Sequence, residues 1–198
     1  MAVAEAHVEE AHHTSTGLNN RKMVFWAFLG SECMFFGSLI ATYLVYRGRD
    51  TVGPHPAEIF SIPFTTVSAF VLLMSSLTMV LALAGIQQGR QKNGAFWLAA
   101  TAILGMLFVA GQVYEFSEFF HKGLALQTNL FGCSFYVLTG FHGTHVTIGV
   151  IWLWSLWSMA IRGKLPPSRS LDVEIGGLYW HFVDIVWIAI FTLIYLIQ

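Results

Sequence analysis

Charge is the scarcest resource in this 198-residue chain. Asp, Glu, Lys and Arg together make up 11% of it, where a soluble domain carries roughly a quarter. With 56% hydrophobic residues and a mean hydropathy of +0.63, too little polar surface remains to cover a water-soluble fold. Net charge is −1, which excludes a strongly basic nucleic-acid binder and a polyanionic tail protein. Two cysteines cannot make a disulfide framework. Also missing are a phosphate-binding loop, a dinucleotide fingerprint, a Gly-x-Ser-x-Gly elbow, a His-Glu-x-x-His pair and a pore-filter signature. The first 22 residues lack the short apolar core of a cleavable signal, so the first apolar run is expected to act as its own insertion signal.

What is present is a series of long apolar runs. A hydrocarbon core needs about 20 helical residues, and five runs are long enough: Met23 to Tyr46, Pro63 to Ile86, Ala95 to Phe119, Leu130 to Ile161 and Gly176 to Ile197. The fourth exceeds an untilted span, so it should tilt or project beyond the membrane. The connections hold glycine, proline or both, as in Gly53-Pro54, Gly89, Gly94, Gly123 and Gly163, where helices end. The expected fold is all-α: a polytopic membrane protein with a single bundle of five transmembrane helices over residues 23–198. It follows a polar tail over residues 1–22. Arg21, Lys22, Arg90, Lys92, Arg162, Lys164 and Arg169 fall on one face, against Arg47, Arg49 and Lys122 on the other. The positive-inside rule then expects a cytoplasmic amino terminus and an external carboxyl terminus.

Ionisable residues inside the spans are the informative ones. Glu32 lies near the middle of the first run and Glu115 in the outer half of the third. His142 and His145 lie mid-way along the fourth, and His181 and Asp184 in the inner half of the fifth. No lysine or arginine lies well inside any run, so a buried carboxyl there has only histidine as a basic neighbour. Such groups are costly in lipid unless neutral or hydrogen-bonded. Protonated carboxyls or carboxyl–histidine contacts are therefore the expected states. Interhelical pairing is the plainer use of these side chains, and direct proton handling the sharper one.

His142-Gly143-Thr144-His145 puts two imidazoles on one helix face, with His181 and Asp184 available from the next helix. That arithmetic resembles a metal or haem site, yet i, i+3 histidines are not diagnostic, and hydrogen-bonded packing of polar faces is the expected use. His7, His12 and His13 in the tail are expected to be solvated. Cys33 and Cys133 read as small apolar fillers. Gly140, Gly143 and Gly149 offer narrow places for close helix approach. Trp152, Trp154, Trp157 and Trp180, with Tyr43, Tyr46 and Tyr195, suit helix ends and interfacial belts, and Trp187, deeper in its span, suits packing.

Four strings carry a resemblance. Ser31-Glu32-Cys33-Met34-Phe35-Phe36, Gln112-Val113-Tyr114-Glu115-Phe116, Thr139 to Gly149 and Tyr179-Trp180-His181-Phe182-Val183-Asp184-Ile185-Val186-Trp187 resemble, in order, motifs of haem-copper terminal oxidase subunit III. They fall one to each of four helices, and the likeness covers nearly all the chain after Lys22. Any one string is weak; the ordered set is specific.

The resemblance implies a non-catalytic subunit of a proton-pumping respiratory oxidase, most readily cytochrome c oxidase, that reduces dioxygen to water in a bacterial plasma membrane. It implies no catalytic residue, metal or redox cofactor on this chain, with haem and copper in partner subunits. It also implies bound phospholipid, contact with the large catalytic subunit, support of proton uptake and protection from turnover-dependent inactivation. Glu32 matches the family's buried glutamate that reacts with hydrophobic carbodiimides. The chain lacks the first two helices of seven-helix members. Five-helix forms also occur in quinol oxidases and in a nitric-oxide-reductase-associated relative. Two other classes stand beside this reading: a membrane enzyme or haem carrier using the histidines, and a proton or solute transporter, which would need broken helices or an internal repeat.

Overall fold

A computed structural model describes residues 19–47 and 61–197. His7, His12, His13 and the Gly53-Pro54 connection lie outside the described residues. Five long helices follow one another: α1 Asn20–Tyr46, α2 Ile62–Gln87, α3 Gln91–His121, α4 Leu130–Ile161 and α5 Ser170–Ile190. A short 3₁₀ turn, Pro167–Arg169, leads into α5, and its last turns widen to π geometry over Phe191–Leu196. All five are long and apolar enough to cross a membrane.

Local chemistry sets the ends. The Asn19 side chain accepts from Arg21 N at 2.9 Å and starts α1 three residues before the expected apolar run. Asn129 does the same for α4 through Gly132 N at 2.6 Å, each capping an amide the first turn would leave unpaired. Pro63 sits in the first turn of α2, where no amide is needed. Gly89 stops α2 at φ +73°, and Arg90 N then closes back on the Gly85 carbonyl at 2.9 Å. Gly163, at φ +68°, does so for α4. Helix α5 begins at Ser170, six residues before the expected apolar run.

Neighbouring helices α2–α3 and α3–α4 pack along their lengths, and α5 lies against α2, α4 and α1. The core is built on α5. Trp180 and Trp187 are 0% and 2% exposed. The Trp180 indole fills a niche between Gly105 of α3 and Gly149 of α4, where added β-carbons would come within 2.5 and 2.8 Å of it. Its Nε1 donates to Ser75 Oγ at 2.8 Å. Tyr43 and Tyr195 are buried as well. The belt expected for Trp180, Tyr43 and Tyr195 is therefore corrected: all three rings are buried inside the bundle, and for Trp180 the facing glycines of α3 and α4 make the room. Cys33 and Cys133 are corrected in the other direction, since both are exposed on the bundle's outside.

α1 is peripheral. It buries only Leu29, Phe36 and Tyr43, one residue every seven. Its amino-terminal end is tied by Arg21–Asp172 at 2.7 Å and Lys22–Glu174 at 2.5 Å, so the starts of α1 and α5 share one end of the bundle.

Candidate functional site

The ionisable residues of the spans do not form one continuous network. They resolve into separate contacts between different helix pairs. Between α2 and α3, the Thr65 hydroxyl donates to the Glu115 carboxyl, with both residues buried. Between α2 and α5, Ser76 Oγ lies 2.6 Å from His181 Nδ1. Both Asp184 oxygens are buried without a hydrogen bond among the described residues. Glu115 and Asp184 thus do not meet the histidines of α4.

Between α1 and α4, His145 Nε2 lies 3.2 Å from Glu32 Oε2. The angle falls short of a hydrogen bond, but the contact defines the pair's chemistry. His145 Nδ1 lies 2.7 Å from the Phe141 carbonyl. A carbonyl can only accept, so Nδ1 carries the hydrogen and Nε2 faces Glu32. A carboxyl and an imidazole at this separation can carry zero net charge as a pair, which would spare the bilayer interior an uncompensated ion. Tyr179 of α5 donates to the His145 carbonyl at 3.1 Å. The Phe36 ring packs edge-on against the His145 imidazole at 5.0 Å.

His142, one turn earlier on α4, has no polar company. It is fully buried, stacked on Trp187 at 5.1 Å and 22°, with Phe108 edge-on at 6.0 Å. Neither ring nitrogen has a hydrogen-bond partner among the described residues. An aromatic box with no anion favours a neutral ring. The three histidines that invited a metal reading therefore point to three different environments: the Trp187 face, Glu32 and Ser76. No group of three or more His, Cys, Asp or Glu suited to a metal comes together among the described residues.

Sequence reasoning missed Thr65, Ser75, Ser76 and Tyr179 as partners. Hydroxyls on an apolar helix carry no signal of which face they occupy until the neighbouring helix is known.

The comparisons agree with this architecture. The sequence matches the family model for cytochrome c oxidase subunit III over residues 2–198. Quinol oxidase subunit 3 of Bacillus subtilis (strain 168) is 41% identical over 172 residues, covering 87% of this chain and 84% of that one. Cytochrome c oxidase subunit 3 of Bacillus sp. (strain PS3) is 37% identical over 177 residues, covering 89% and 86%. The probable quinol oxidase subunit 3 of Staphylococcus saprophyticus is 39% identical over 181 residues, covering 90% of each. With five membrane-length helices and a match of this extent, the chain belongs to the cytochrome c oxidase subunit III family, the third subunit of haem-copper oxidases.

Proposed function

We propose that this chain is the non-catalytic third subunit of a proton-pumping terminal oxidase that reduces dioxygen to water, with cytochrome c as electron donor. It packs against the large catalytic subunit, which holds haem and copper together with its partners, and supports that subunit's stability and proton uptake. The observation that carries the reading is the pairing of a full-length family match with an interior in which Glu32, Glu115 and His181 each face a polar side chain of a neighbouring helix. α1 to α4 are each a single uninterrupted helix, which disfavours a transporter built on broken helices. The chain sits in a bacterial plasma membrane, with the Lys/Arg-rich ends of α1 and α5 on the cytoplasmic side.

Phospholipid binds along the groove between α1 and α5. That groove has a volume of about 580 Å³ and is lined mostly by apolar side chains from Trp26 to Ile40 and from Leu178 to Ala189, with Cys33 and His181 as its ionisable groups. Acyl chains suit such a surface because it offers almost nothing to hydrogen-bond.

A second reading, quinol as donor, is favoured by the names of two of the relatives. Relatives of similar identity are named for different donors, which supports a donor site outside this chain. The test is purification of the tagged chain from its native membrane. Recovery of haem-containing subunits, oxygen uptake with reduced cytochrome c, and proton ejection are the expected results. Uptake with quinol alone would select the second reading. Recovery of the chain by itself, or of haem stoichiometric with the isolated chain, would overturn both.

A further inference from the structure

A second groove, between α3 and α4, is of a different kind. It has a volume of about 300 Å³ and is lined by Gln112, Gly140, Gly143, Thr144 and Thr147 among others. Gln112 Nε2 donates to the Thr139 carbonyl at 2.8 Å. Because a carbonyl only accepts, the amide cannot be turned round, and Oε1 must face away from that bond. The amide lies flat over Gly143, where a β-carbon would stand 2.6 Å from Oε1. Gln112 is 7% exposed, and the Thr139 contact is its one hydrogen bond among the described residues. Among the described residues its acceptor Oε1 receives no hydrogen bond.

Gln112 sits about 9 Å from the middle of α3 by helical rise, inside a hydrocarbon core of about 30 Å. No water there can satisfy the oxygen. An acyl chain cannot donate to it either. The α4 wall adds none of its own donors, since Thr144 and Thr147 donate to the Gly140 and Gly143 carbonyls at 2.9 and 2.8 Å. The glycines of α4 divide in a telling way. Gly143 is filled by the Gln112 amide and Gly149 by Trp180, whereas Gly140 has nothing within 4 Å of where a β-carbon would stand. The groove thus combines an open small-residue contact with an acceptor that receives no hydrogen bond among the described residues, the two features by which helices associate in lipid.

We propose that this groove receives a transmembrane helix of a larger oxidase subunit. That helix sets a small residue against Gly140 and gives a hydroxyl or amide N–H to Gln112 Oε1. The proposal rests on the assembly reading above and names the face that serves it. The groove between α1 and α5, almost without polar lining, is left to lipid.

The test compares two leucines in the tagged chain, expressed with the whole complex. Gly140→Leu fills open space, so the chain should reach the membrane at wild-type level. Recovery of the larger subunits with it should fall at least tenfold. Ala27→Leu, on the exposed outer side of α1, should leave recovery within twofold of wild type. A photo-cross-linking residue at position 144 should capture a transmembrane peptide of a larger subunit bearing Ser, Thr, Asn or Gln. Wild-type recovery with Gly140→Leu, a loss confined to Ala27→Leu, or capture only of phospholipid or of a second copy of this chain would overturn the proposal. Wild-type chain that recovers no other subunit would overturn the assembly reading itself, and this proposal with it.

Discussion

α1 and α5 are both membrane-length and apolar, yet they occupy opposite situations. α5 buries 12 of its 21 residues, and α1 buries 3 of its 27. In water, hydrophobicity would separate an interior helix from a surface one; in lipid both surfaces are apolar, and that signal vanishes. What places α5 at the centre is shape. Gly105 and Gly149 open a niche for Trp180, Gly177 meets Met79 and Gly176 meets Leu156. What holds α1 at the edge is a seven-residue stripe of three side chains, two ion pairs at one end and the Glu32–His145 contact near its middle.

That contrast predicts a graded response to substitution. The largest effect should come from Trp180→Ala, which empties the niche and removes the bond to Ser75. A loss of about 4 kcal/mol, read as detergent-induced unfolding of the purified complex, is expected. Gly105→Val attacks the same niche from the other side. Its β-carbon would meet Trp180 at 2.5 Å and Val150 at 2.8 Å, and the overpacking should cost about 2 kcal/mol by the same assay. If either change were as mild as one on α1, shape would not be what centres α5.

On α1 the effects should be smaller. Glu32→Ala leaves His145 Nε2 without its partner and should cost about 1–2 kcal/mol, since the Glu32 side chain retains 18% exposure. Arg21→Ala breaks an ion pair whose arginine is 63% exposed. It should cost about 0.5 kcal/mol or less, and the difference from wild type should shrink as salt is raised. A larger loss would make the polar end of α1, not its apolar stripe, the stronger attachment.

The five helices were legible in the sequence because each apolar run exceeds a bilayer's thickness. Their order was legible too, because the connections carry Gly89, Gly123 and Gly163. The Glu32–His145 contact lay within reach, since no lysine or arginine was near enough to compete for Glu32. Burial of Trp180 and Tyr43 was not legible. An aromatic residue on an apolar helix satisfies both a headgroup belt and a glycine niche, and only the facing helix decides. The split between Ser76–His181 and Thr65–Glu115 was hidden for the same reason: a serine or threonine in an apolar run can satisfy itself on its own helix, as Thr66 does with the Ile62 carbonyl.

The central claim is that Glu32 and His145 are a structural pair joining α1 to α4, without serving as an obligatory proton carrier. Glu32→Gln tests it most directly. The glutamine amide can donate to His145 Nε2 as the neutral acid would, so assembly should survive. Measured on the assembled variant complex, oxygen consumption and the number of protons ejected per electron should match the wild type. Loss of either in a fully assembled Glu32→Gln complex would contradict the account and make this carboxyl part of the proton path.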